Sequence, residues 1–246
     1  MLLRPEDVRI YSRNKNILFE PENEGNLFSR LIAKIGVKLS RLNDSPEKAV
    51  ISERIIEYPV IFQIIDRKSK NILDFGCAED LFPIHLSSLG YRVTGLDYRS
   101  YPFTHPNFSF IHDDILKWQP PEEKYDCVIS ISTIEHVGLG GYRDPLSENG
   151  DSIAVQKLLA SLKKGGQLII SVPFGKHTIE RKMRIYNREK LSQLVPHIEM
   201  ERFFFKPDRY ANWTETSWHE INELEYEDYY KLSPAQGLAV VSARKP

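Results

Sequence analysis

A chain of 246 residues with 41% hydrophobic and 27% charged side chains has the composition of a globular protein able to bury one sizeable core with appended segments. Its formal net charge of −1 supplies no basic field for nucleic acid or acidic membrane, so neither is an expected partner. Two cysteines, Cys77 and Cys127, exclude a disulfide-stapled scaffold and point to a reducing cytoplasm, and neither a signal-peptide core nor an apolar run of transmembrane length is present.

Residues 1–66 read as an N-terminal helical cover segment. Phe28, Leu31, Ile32, Ile35 and Leu39 fall on one helical face beside Lys34, Lys38 and Arg41. Such a face reads first as a helix packed on the domain, and a helix that touches a membrane surface or the acceptor is the lesser alternative. Ser45-Pro46 supplies a capping hydroxyl and a proline at the first helical position, which predicts a helix running through Arg54, Glu57 and Tyr58 toward Pro59.

Residues 67–246 form the expected main domain. Strands are predicted at 71–75, 91–97, 108–111, 125–131, 167–172, 200–205 and 238–243, with helices at 80–89, 151–163 and 188–195 between them. This alternation implies a mostly parallel α/β sheet with helices on both faces, and an antiparallel pair formed by the last two strands. Between those two strands, about residues 206–236, Trp213, Trp218, Tyr226, Tyr229 and Tyr230 stand among Glu215, Glu220, Glu223, Glu225, Glu227 and Asp228. That insertion suits a lid over a sugar or cationic acceptor, or a helix with one buried aromatic face and one solvated acidic face.

The run Asn71-Ile-Leu-Asp-Phe-Gly-Cys-Ala-Glu-Asp80 followed by Val93-Thr-Gly-Leu-Asp97 has the layout of a nucleotide-binding βαβ unit. Only its first glycine, Gly76, is kept, because Ala78 stands where a dinucleotide fingerprint has its second and Asp80 lies in the stretch that leads to its third. A pyrophosphate needs bare backbone at that helix terminus, whereas an adenosine cofactor without phosphates needs one close backbone approach. S-adenosylmethionine (SAM) is such a cofactor. Asp74, Gly76, Cys77, Ala78 and Glu79 are then placed at its amino-acid end. Asp97, with Tyr98 beside it, is placed at the ribose. Asp113 or Asp114 accepts from the adenine amino group, and Ile115 packs on the ring. Ser130 and Ser132 close the fourth strand beneath the methyl group.

Together these segments closely resemble class I SAM-dependent methyltransferases over about residues 70–175 and the final strand. Glu53 to Pro59, Gly76 to Glu79, Ser132 to Gly140 and Asp144-Pro145 look like an uncharacterised bacterial subgroup associated with polysaccharide or natural-product pathways. The resemblance implies a Rossmann-like seven-stranded sheet of order 3-2-1-4-5-7-6 and the cofactor roles above.

Methyl transfer to a hydroxyl requires an aligned nucleophile and removal of a proton. His136, next to Glu135 at the end of the fourth strand, is the first candidate base, and His177 beyond the fifth strand is the second. The opposing account of His136 is a histidine that locks a loop through hydrogen bonds. Glu135-His136 also resembles the start of a metal site in ubiquinone-type and small-RNA methyltransferases, but Ser132 stands where the latter have a further glutamate, and no metal is expected. Arg184 and Tyr186 are placed either on acceptor oxygens or, for the arginine, on a helix carboxylate. The expected activity is methylation of a small polar acceptor, most simply a sugar or secondary-metabolite hydroxyl. A nicotinamide-dependent oxidoreductase or epimerase and a non-catalytic binding module are the alternatives. The sequence carries no statement about oligomeric state.

Overall fold

Strand β1 (Asn71–Phe75) is an almost unbroken run of buried residues, and β4 (Tyr125–Ile131) is another, as expected of strands covered on both faces. In a computed structural model they lie side by side and parallel, with Ile72 opposite Cys127 and Phe75 opposite Ser130. The structure describes residues 51–141, 145–180, 182–208, 211–225 and 236–246. The fold considered is the unit formed by Glu53–Asp208 and Trp213–Pro246. The apolar helix expected at 28–41 and the Ser45-Pro46 cap lie outside the described residues.

The elements in chain order are α1 (Arg54–Ile64), β1, α2 (Phe82–Ser88), β2 (Arg92–Asp97), β3 (Phe108–His112), β4, α3 (Gly150–Ser161) and β5 (Leu162–Pro173). They continue with β6 (Thr178–Glu180), β7 (Met183–Ile185), α4 (Arg188–Leu194), β8 (Ile198–Lys206), β9 (Thr214–Thr216), α5 (Trp218–Ile221) and β10 (Gln236–Arg244). Among the described residues, eight strands form one sheet in the order β3-β2-β1-β4-β5-β10-β8-β9. The first five are mutually parallel, while β10 runs antiparallel to both β5 and β8. This is the expected α/β Rossmann-like arrangement. It differs in one added edge strand, β9, built from the start of the insertion and paired to β8 at Phe203, Phe204 and Phe205.

Alternation along the strands divides the core into two layers. One face carries Leu73, Phe75, Val128, Leu168 and Ile170 against Ala154, Val155 and Leu158 of α3, whose spacing puts them on one side of that helix. The other carries Ile72, Val93, Cys127 and Ile129 against Val60 and Ile61 of α1 and Phe82 and Leu86 of α2. Complete burial of each such side chain contributes about 1.5–3 kcal/mol.

Two expected elements shift for identifiable reasons. The helix expected to end near Pro59 instead begins at Arg54 and runs through Pro59 to Ile64. Proline removes one backbone donor, but the turn that follows buries Val60 and Ile61 in the second core layer, which offsets that loss. The helix expected from Asp80 begins at Phe82, because a 3₁₀ turn (Cys77–Glu79) and an extended Asp80 intervene.

A hairpin absent from the sequence reading, β6–β7, follows β5. It turns through Lys182 at φ 62° without the glycine that would announce it. Arg184 on β7 is buried and braces the loop between β4 and α3. It donates to Val137 O at 2.7 Å and Glu148 O at 3.0 Å, and its Nε lies 3.5 Å from Asp151 Oδ2. Tyr186 donates to the same carboxylate at 2.9 Å. The plainer account of Arg184, pairing with a helix acid, is the one the structure displays.

Candidate functional site

The carboxyl ends of β1, β2, β3 and β4 open onto a cleft holding about 670 Å³ of empty space, part of it open to solvent. In parallel sheets ligands bind outside these strand ends, where the order reverses about β1. Of the residues placed at the cofactor by sequence, the cleft brings together Gly76, Asp97, Tyr98, Asp114, Ile115 and Ser132, with the candidate base His136 beside them.

Gly76 leaves β1 in the left-handed region, φ 83°, and its amide donates to Leu96 O at 2.9 Å. A Cβ there would meet Thr133 Cγ2 and Oγ1 at 2.2 Å, so the backbone is bare where the loop after β4 crosses it. Ala78 N donates to Asp97 Oδ2 at 2.9 Å and fastens the turn to the tip of β2. Asp97 also receives the Arg99 amide at 2.8 Å and the Arg99 guanidinium through Nε and Nη2, each at 3.2 Å. At the end of the neighbouring strand, Asp114 Oδ1 accepts from Leu116 N at 2.9 Å, while its Oδ2 is buried with no hydrogen-bond partner among the described residues. Lys117 Nζ stands 3.9 Å from that oxygen, beyond hydrogen-bond reach. Ile115, 4% exposed, forms the apolar wall beside it.

Other expected site residues fall elsewhere. Asp113 accepts from Asp114 N and is not on the cleft wall, so of the two acids Asp114 is the one that lines the cleft. Cys77 is wholly buried, its sulfur over Gly95, and burial raises its thiol pKa, so any contact with a ligand would be through backbone. Asp74 and Ser130 are buried behind the cleft, each with one side-chain oxygen lacking a partner. The Glu79 side chain lies outside the described part of the structure. His177 is absent from the cleft lining, and its Nδ1 bonds Ile185 O at 2.8 Å, tying the hairpin to the end of β5. That placement moves the second candidate base away from the cleft.

His136 is held differently. Its Nδ1 lies 2.9 Å from Lys182 O. A carbonyl only accepts, so Nδ1 carries the proton and Nε2 carries the lone pair in the neutral ring. Nε2 is 3.8 Å from Glu135 Oε1, too far for a hydrogen bond. Glu135 is 1% exposed and its Oε2 has no partner. Burial pushes its carboxyl up to about 8, with Glu57 adding to the shift and Arg54 opposing it.

Arg54 is a cleft residue that sequence reasoning read only as part of a helix. Burial alone would lower its pKa, yet Glu57, Glu53 and Asp80 hold it well above the ordinary value. The same guanidinium opposes the upward shifts of Asp74 and of Asp80, which burial pushes up to about 6. Glu57, fully buried, pairs with Arg54 and accepts from Ser132 Oγ at 2.5 Å and Ser171 Oγ at 2.7 Å. Nothing in a single sequence marks a glutamate on a helix as buried; its i,i+3 arginine was the only available signal.

Glu135 gives a pH prediction whose sign follows from linkage. The folded state keeps the proton between about pH 4.5, the ordinary glutamate value, and about pH 8, while the unfolded chain releases it. Stability from this group is therefore full below about pH 4.5 and is lost as pH rises through about 8. Asp74 and Asp80 act in the same direction, so the difference between proteins isolates Glu135. Urea midpoints from pH 5 to pH 9 are expected to fall less steeply for Glu135→Gln than for wild type; parallel curves would exclude the assignment.

A family model described as "Caenorhabditis protein of unknown function, DUF268" matches residues 108–227. No protein among those with curated functions matches the sequence. Among solved structures, a protein described as a methyltransferase (BH2331) from Bacillus halodurans shares 14% identity, with 78% of this chain and 99% of that one covered at a TM-score of 0.54. The 1,6-didemethyltoxoflavin-N1-methyltransferase of Burkholderia thailandensis, holding its named compound and S-adenosylhomocysteine, shares 14% identity over 92% of each chain at 0.53. The [4+2]-cyclase SpnF shares 15% over 83% of this chain and 84% of its own at 0.53. The chain has the fold of the class I SAM-dependent methyltransferases. At these identities the likeness establishes the fold, and the fold by itself carries more than one chemistry.

Proposed function

We propose that this protein is a SAM-dependent methyltransferase acting on a small polar acceptor, most simply a hydroxyl of a sugar or secondary metabolite. The observation that carries the proposal is the Asp114 carboxylate, with Oδ2 buried, lacking a hydrogen-bond partner among the described residues and lining the cleft beside Ile115. A buried acceptor without a donor is costly unless a ligand supplies one, and an adenine amino group beside an apolar wall does so. Gly76 lines the same cleft at the end of β1, and Asp97 is the ribose acceptor. When bound, the cofactor supplies an electrophilic methyl group. His136, with its lone pair on Nε2, takes the proton of the acceptor hydroxyl.

The nicotinamide alternative is disfavoured at the turn. Asp80 Oδ1 accepts from Phe82 N at 2.9 Å, so an aspartate already occupies the first amide of α2, where a pyrophosphate would sit. The alternative of a non-catalytic binding module predicts cofactor binding without methyl turnover. The small-molecule class is supported by the compound held in the Burkholderia neighbour and by the acidic aromatic insertion. That insertion leaves the sheet at the carboxyl end of β8, and Leu224 O accepts from Lys176 N just beyond β5. We assign it the lid, residues 1–66 the cover, and the cytoplasm as the setting. Residues 226–235 and 1–50, which carry much of both segments, lie outside the described part. A place in polysaccharide or natural-product synthesis accords with such an acceptor. No helix among the described residues is long and apolar enough to cross a membrane.

Isothermal titration tests the cofactor assignment. Wild type is expected to bind SAM and S-adenosylhomocysteine, and Asp114→Ala to bind roughly tenfold or more weakly, the loss associated with a buried hydrogen bond to a charged group. Absence of binding by wild type at millimolar cofactor would overturn the proposal. Equal binding by the variant would remove Asp114 from the site.

A further inference from the structure

Asp97 has no capacity left for the ribose hydroxyls that its place at the end of β2 assigns to it. A carboxylate offers about four lone-pair sites. Four N–H donors fill them: the amides of Ala78 and Arg99 at 2.9 and 2.8 Å, and Arg99 Nε and Nη2, each at 3.2 Å. The amide bonds build the turn and the strand end. The guanidinium bonds are different in kind, because they are long for charge-assisted contacts, which settle near 2.7–2.9 Å. They also come from a side chain 29% exposed, against 5% for the carboxylate. Their number, one to each oxygen, equals that of the hydroxyls on a ribose.

We propose that Arg99 is a built-in stand-in for the ribose, occupying Asp97 in the ligand-free protein and withdrawing from it when the cofactor's two hydroxyls bind. Arg99 lines the same cleft as Asp97, so the ligand and the guanidinium compete directly for one acceptor. In the ligand-free state the guanidinium keeps a nearly buried carboxylate paired, which spares the strand end an uncompensated charge. The competition sets the affinity: ligand binding is weakened by the free energy of the two long bonds, and this belongs to the protein and not to the ligand. Discrimination follows as well, since a molecule lacking the vicinal hydroxyls gains nothing by displacing Arg99. The inference rests on the adenosine-cofactor reading of the cleft.

The test uses isothermal titration of the full chain with S-adenosylhomocysteine and with its 2′,3′-dideoxy analogue. Arg99→Ala is expected to bind S-adenosylhomocysteine roughly twofold to fivefold more tightly than wild type, the range for removal of a partly exposed ion pair that competes with the ligand. Toward the dideoxy analogue the two proteins are expected to be equal. Arg99→Gln, which keeps bulk and a donor but loses the charge, is expected to fall between them and serves if the alanine variant does not fold. Equal or weaker S-adenosylhomocysteine binding by a folded variant would overturn the role of Arg99 and leave the cofactor site standing. The same gain with the dideoxy analogue would also overturn it. No binding by wild type or variants would overturn the cofactor reading and this inference with it.

Discussion

Gly76→Ala is expected to lower the melting temperature by roughly 6–12 °C and to weaken S-adenosylhomocysteine binding by more than tenfold. Two effects add. Alanine at φ 83° is strained by about 1–2 kcal/mol. Its methyl would also stand 2.2 Å from two Thr133 side-chain atoms and 2.6 Å from Thr133 Cβ, which adds about 1–3 kcal/mol of overpacking. A total near 3 kcal/mol corresponds to roughly 6–12 °C for a domain of this size. The binding loss follows because Thr133 cannot yield without moving its loop, and that loop carries His136 three residues on. Truncating Thr133 only to alanine leaves the Cβ in the way. Thr133→Gly removes the obstacle and is expected to restore about half of the lost stability in the double variant, the remainder being backbone strain. Thermal melts of the four proteins close a double-mutant cycle. An unchanged melting temperature for Gly76→Ala, or additivity of the two substitutions, would refute the account.

The strands were legible because burial on both faces leaves mostly apolar runs such as Ile72–Phe75 and Cys127–Ile131, and their parallel order follows from alternation with helices. Gly76 and Asp97 were legible because turn geometry and strand-end chemistry are local. Long-range pairing of charged side chains was not. Glu57 meets Ser132 75 residues away and Ser171 114 residues away, and no local period encodes either contact. Arg99 follows Asp97 by only two residues, yet whether its guanidinium folds back onto the carboxylate or extends into solvent is decided by the cleft. The β6–β7 hairpin was missed because Lys182 takes a left-handed conformation that sequence assigns to glycine. That omission hid the carbonyl that orients His136 and the turn that draws His177 away from the cleft.

Glu57→Ala is expected to destabilise the fold by about 3–5 kcal/mol, the range for removing one member of a buried ion pair. The carboxylate is fully buried, and its loss strands three donors at once: the Arg54 guanidinium, 13% exposed, and the hydroxyls of Ser132 and Ser171. Arg54 retains other acids nearby, Asp80 and Glu53 among those that act on it, which keeps the loss within that range. Ser132 is the member that matters for the cleft. It sits at φ 42°, a left-handed conformation unusual outside glycine, and its amide and hydroxyl are both held, by Ser171 and by Glu57. Releasing the hydroxyl removes part of what keeps that strained residue in place, and the chain from Ser132 to His136 loses its fixed start. Glu57→Gln retains an oxygen for one hydroxyl but not the charge opposite Arg54, so an intermediate loss of about 1–3 kcal/mol is expected. Urea unfolding of the three proteins ranks these effects. The reading of α1 as part of the site, and not only a cover, requires Glu57→Gln to weaken S-adenosylhomocysteine binding in the folded protein; a variant that loses stability but binds as wild type would reduce α1 to packing.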